Sequence, residues 1–285
     1  MRTRSILPGF GLLLLAAFVF VIAGCSDDKT PATSNLTPGS ETDPQFLLIQ
    51  DQINEYLDST QNVFSIGLEN ISKLPTDTDE VVIINGPLGP NDTALYSYAN
   101  GWHVMYIAKY ALNFDVRFRD SVQFKNDGVA VETPNPLDYL HFIRYWVFTS
   151  NLTSQTHTDM SRYINLIYDN LDTDTASING TNNSDIAWTY INGDTTITAT
   201  LDMNVTVDNI NVVRSNLYGW VSGCPCSGTL DMTIGEEYEA TDGTNQVNLS
   251  KDWTVTIEVE DGVATIDIVS GTETWHYTYT ICLLG

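Results

Sequence analysis

Three cysteines lie near the end of the 285-residue chain: Cys224 and Cys226, separated only by Pro225, and Cys282. In an oxidising compartment such thiols pair. A bridge from Cys224 or Cys226 to Cys282 would staple the last predicted strand to the body of the fold, worth about 2–4 kcal/mol, and would leave one thiol over. A redox pair normally has two residues between its thiols and sits at a helix start. A zinc site needs a second spaced pair or a nearby His. Neither pattern surrounds Cys224-Pro-Cys226. The four histidines, His103, His141, His157 and His276, are scattered, and no two have metal-ligand spacing. There is no Gly-x-Ser-x-Gly elbow, no phosphate-cradling glycine loop and no dinucleotide fingerprint. Two oxygen-rich segments, Asp169–Asp174 and Thr181–Asp185, read as loops that could offer Ca²⁺ ligands. The twelve-residue Ca²⁺ pattern fails, however, at Ala176 and at Ser177, where Gly is required. The residue types therefore predict no catalytic residue, no metal and no cofactor.

The elements that would position these side chains fall into two kinds. Asp43-Pro44 has the form of an N-cap followed by Pro at the first helical position. Phe46, Ile49, Ile53, Leu57, Phe64, Leu68 and Ile71 then recur at helical spacing, which predicts an amphipathic helix over 44–74, ended by Pro75. After the Gly86–Asn91 loop the period becomes two. Leu112, Phe114, Val116, Phe118, Val122 and Phe124 alternate with polar residues; so do Ile197 to Val207 and Trp253 to Val259. The cysteine pair falls at a turn before a strand over 229–234, and a separate strand is read over 211–221. Asn126-Asp-Gly128, Asn192-Gly193, Asp261-Gly262 and Ser270-Gly271 carry hairpin chemistry. Sequential strands joined this way pair as neighbours. The expectation is a mainly β chain of eleven or twelve strands: a large antiparallel meander forming a curled sheet, half-barrel or barrel, with the helix on its apolar face.

Composition narrows the partners. The chain carries 36 acidic and 12 basic side chains and a formal charge of -24. That excludes nucleic acid, which is held by clustered Lys and Arg, and argues against electrostatic docking on anionic lipid. With 42% hydrophobic residues there is enough apolar matter for a sizeable core. Asn-x-Ser/Thr triplets, as at Asn91, Asn179 and Asn204, fit Asn and Thr enrichment on wet strand faces.

The first 25 residues set the compartment. Arg2 and Arg4 precede the apolar run Gly11–Ile22, which is shorter than the roughly 20 residues of a membrane span. Ile22-Ala23-Gly24-Cys25 resembles the lipobox of bacterial lipoproteins. The resemblance implies cleavage before Cys25, a diacylglyceryl group on its sulfur and acylation (palmitate and the like) of its new amino group. Because Ser26 rather than an acid follows Cys25, it also implies the outer membrane. Residues 1–24 then form the signal peptide, the polar 25–42 a flexible tether, and 43–285 a single β-rich domain.

The leading expectation is a lipid-anchored, non-enzymatic envelope protein, on its periplasmic or surface face, that binds something through its curled sheet or loops; in one version the ligand is an apolar small molecule held among its many aromatics. A structural or assembly lipoprotein with envelope protein partners is the alternative. A hydrolase would need two or more of the histidines to converge on carboxylates.

Overall fold

The computed structural model describes residues 37–57, 89–133, 137–153, 155–215 and 219–282, apart from Pro44 and Glu55. Thirteen strands form one sheet: β1 Thr37–Pro38, β2 Thr93–Ala99, β3 Trp102–Tyr110, β4 Phe114–Asn126, β5 Val129–Val131, β6 Tyr139–Thr153, β7 Thr156–Asp169, β8 Thr175–Asn192, β9 Thr195–Ser215, β10 Gly219–Thr241, β11 Gln246–Glu260, β12 Val263–Ser270 and β13 Glu273–Thr280. Their order is β1-β13-β12-β11-β10-β9-β8-β7-β6-β4-β3-β2, with β5 beside β4. Every pairing is antiparallel except β1 with β13. The chain is thus the expected meander. The sheet is open rather than a barrel: its terminal strands in the order, β1 and β2, do not pair.

The turns follow their residues. Asp127 and Gly128, Gly193, Asp261 and Gly262, and Gly271 all take positive φ, which the hairpin connections demand. Some boundaries differ from the sequence reading. The 211–221 run is divided, because β9 ends at Ser215 and β10 begins at Gly219. Cys224-Pro-Cys226 is no turn but part of β10, at a register shift against β9. Thr181–Asp185 is no loop but the middle of β8, with Asn182 and Ser184 buried and inward.

Two glycines bend the sheet. Gly180 (φ +142°) marks a bulge between β8 and β9, and a Cβ there would lie 2.0 Å from Asn165 O. Gly228 (φ +125°) marks one between β10 and β9, and its Cβ would lie 2.4 Å from Asn209 O. Such bulges sharpen twist and flip the inward register. On β9 the buried residues accordingly change from Val205 and Val207 to Ile210 and Val212.

The helix, α1, covers 45–57. Asp43 Oδ1 caps it by accepting from the Gln45 N–H at 2.9 Å. Phe46, Ile49, Ile53 and Leu57 are buried in the core with residues from β4 through β13. The remainder of the predicted helix, with Phe64, Leu68 and Ile71, lies outside the described residues. Phe46 stacks on Trp275 of β13 at 5.1 Å, and the Tyr56 hydroxyl meets Asn182 Nδ2 of β8 at 3.2 Å. Trp275, Ile268, Val255, Met232, Val205 and Asn182 stand side by side in register, so α1 crosses six strands along one row. Flat, the nine strands from β4 to β13 (β5 aside) would span about 38 Å. A helix of roughly 20 Å shares one core with all of them, so the sheet curls around it.

Candidate functional site

Alternation assigns every strand residue to an inner face, which carries α1, or an outer one. The row next to α1, on the side of the β12–β13 turn, runs Phe118, Trp146, Arg162, Ser184, Met203, Ile234, Trp253. The next holds Phe148, Met160, Ile186 and Leu201 beside Glu236 and Lys251. Beyond it come Trp188 and then Tyr190. Ile234 and Trp253 are buried, whereas Trp146, Phe148, Met160, Ile186, Trp188 and Leu201 are only half-buried. Trp146 stacks with Phe148, and Trp188 with Tyr190. These rows exist because β6 to β11 are 14 to 23 residues long and run past the helix.

A polar belt separates them from the core under α1. Asp120 and Arg144 stand directly opposite each other across β4 and β6 and form two parallel bonds, at 2.7 and 2.6 Å. Arg162 on β7 donates from Nε to Asn182 Oδ1 at 2.9 Å. Among the described residues it has no ion-pair partner. Burial lowers the pKa of the Arg162 guanidinium, and the charge of Arg144 adds to that. Arg144 is instead raised: burial opposes its charge most, but the hydrogen bonds and charge of Asp120, with a smaller contribution from Tyr168, together outweigh it. None of these three charged residues stood out in the sequence. The signal was a charge at an inward position: Asp120 within 116–124, Arg144 within 140–148 and Arg162 within 160–168.

The outer face is acidic. A shallow depression of about 510 Å³ is lined there by Tyr145, Val147, Asp185, Asp202, Glu237 and Asp252 among others. Asp185 and Asp202 are directly opposite in register. The Asp202 carboxyl is pushed up, by burial first and then by Asp185. Among the described residues no three His, Cys, Asp or Glu converge as metal ligands.

The histidines stay apart. His103 is buried, with Nδ1 2.8 Å from Tyr96 Oη, and burial lowers its pKa. His141 bonds Asn165, His157 bonds Asn151 and Asp159, and His276 bonds Asp267. Cys224 and Cys282 form a disulfide, with Cα atoms 6.0 Å apart, and Cys226 is free. The Asp261-Gly262 turn sits over this bridge: Gly262 N–H donates to Pro225 O at 3.0 Å, and Gly262 O accepts from Cys282 N–H at 3.2 Å. Cys25 lies outside the described residues, and among those described no helix is long and apolar enough to cross a membrane.

No protein-family model, curated protein or solved structure matches the chain.

Proposed function

We propose that the protein is a lipid-anchored lipoprotein of the bacterial envelope that binds an apolar ligand on the inner face of its sheet, without catalysing a reaction. The observation that carries the binding reading is the set of half-buried inward side chains beyond α1: Trp146, Phe148, Met160, Ile186, Trp188 and Leu201. A core that served stability alone would bury such residues as completely as it buries Phe124, Phe142 and Ile257. An oxidising compartment agrees with the Cys224–Cys282 bridge.

Two experiments test the two halves. Labelled palmitate should enter the wild-type protein in cells and fail to enter Cys25→Ala; equal labelling ends the anchor reading. Delipidated full-length protein mixed with a cell lipid extract should acquire discrete non-covalent adducts in native mass spectrometry. A spectrum of bare protein alone overturns the binding reading. It would favour an assembly role, with the acidic outer face turned to an envelope protein.

A further inference from the structure

We infer that the inner-face ligand is a single-chain amphiphile with a carboxylate head, and that Arg162 binds that head. The inference rests on the reading of the inner face as a ligand surface and adds the chemistry of the occupant. Three observations lead to it.

The first is a charge with no counter-charge among the described residues. Arg144 and Arg162 are inward neighbours on adjacent strands, yet of the two only Arg144 holds a described carboxylate, that of Asp120. No inward-facing residue of β6 or β8, the strands flanking β7, is acidic. A guanidinium removed from water costs several kcal/mol unless an anion and full hydrogen bonding compensate it.

The second is the geometry of the fork. Asn182 Oδ1 takes the Nε–H and fixes the guanidinium plane. Among the described residues this leaves the two terminal nitrogens for a planar acceptor with two oxygens, which a carboxylate matches bidentately. The Ser184 side chain stands next to Arg162 in register, on β8.

The third is what extends from that point. From Arg162 the inward positions lead through Met160 and Ile186 to Trp188 and Tyr190. Three two-residue steps along a strand cover about 20 Å. An acyl chain reaching halfway across a bilayer's hydrocarbon core is about 15 Å long. The head thus lies at the polar belt and the tail along the half-buried aromatics, towards the strand ends.

The test uses delipidated full-length protein, with myristate, methyl myristate and tetradecyl phosphate as probes and tryptophan fluorescence as the readout, since Trp146 and Trp188 flank the site. Myristate should bind wild type at least tenfold more tightly than its uncharged ester. Arg162→Met should bind both equally, at the affinity of the ester, and Arg162→Lys should lie between. The comparison within the wild type needs no variant to fold. Equal binding of acid and ester overturns the head-group inference and leaves the apolar-ligand reading standing. Tighter binding of the phosphate than of myristate also overturns it. Binding of none of the three overturns both.

Discussion

Arg144 holds Asp120 through Nε and Nη2 together, at 2.7 and 2.6 Å, with the Asp120 side chain 3% exposed. Removing one partner would strand the other charge in the apolar face. Asp120→Ala should therefore cost about 3–5 kcal/mol. The paired change Asp120→Leu with Arg144→Met should recover most of that loss, because a buried ion pair often contributes no more than apolar residues of like volume. Urea midpoints of the single and double variants measure both. A double variant as weak as Asp120→Ala would mean that the pair specifies the fold.

Gly180 and Gly193 make a second test, since both have positive φ in very different surroundings. Gly193 (φ +62°) has nothing within 4 Å of a new Cβ, whereas at Gly180 the backbone oxygen of Asn165 lies at 2.0 Å. Gly193→Ala should cost about 1–2 kcal/mol from conformation alone. Gly180→Ala must also move β7 away from β8 and should cost clearly more. Similar losses in thermal unfolding would show that the bulge is soft.

Much of this architecture was legible in advance, and the exceptions share a cause. Period-two alternation and the Asn-Gly and Asp-Gly turns foretell a meander, because each strand has one dry face and each turn needs positive φ. What alternation conceals is a bulge. At Asp208-Asn209 the dry positions shift from odd to even, so one strand of β9 reads as two. The same holds around Cys224, where a kinked stretch of β10 has the composition of a turn. The candidate site was less visible: an Arg on a strand is unremarkable until register shows that it points inward, and which Arg meets a carboxylate among the described residues depends on strands far away in the chain.

The thiols give a third expectation. Unfolded in denaturant without reductant, the described domain should expose one alkylatable thiol, on Cys226; reductant should add Cys224 and Cys282. Peptide mapping after two-label alkylation reads this directly. Cys282→Ser should cost about 2–4 kcal/mol. If Cys226 proves blocked in place of Cys224, the bridge has the other connectivity.

Stability should also respond to Glu236. Burial raises its pKa above the ordinary 4.5, with the Trp253 N–H and Lys251 only partly opposing. The folded chain therefore holds this proton more tightly than the unfolded one. The associated stability is full below pH 4.5 and is lost as pH climbs through the raised value. Glu236→Gln removes that loss, so its advantage over wild type in urea midpoint should grow from pH 4 to pH 7. Parallel pH curves for the two proteins would contradict it. Asp242 behaves oppositely: bonds from Asn245 and Thr244 hold its carboxyl down to about 2, and an NMR titration should find it ionised well below its neighbours.

The short β1 strand has a geometric consequence. Thr37 and Pro38 join the sheet opposite Glu273 and Thr274, Gly39 lies flat against the Trp275 indole, and Ser40 O accepts from the indole N–H at 3.1 Å. The segment read as a tether to residue 42 thus already touches the sheet from Thr37, and the eleven residues between Cys25 and Thr37 can span at most about 40 Å. Thr37 lies at the pole of the sheet with the Gly271 turn, the pole towards which the Trp188 and Tyr190 rows also lead. With an acyl group on Cys25, that pole would stay within a few nanometres of the bilayer and the disulfide pole would point away from it. A hydrophobic molecule leaving the lipid would then have only a short aqueous gap to cross.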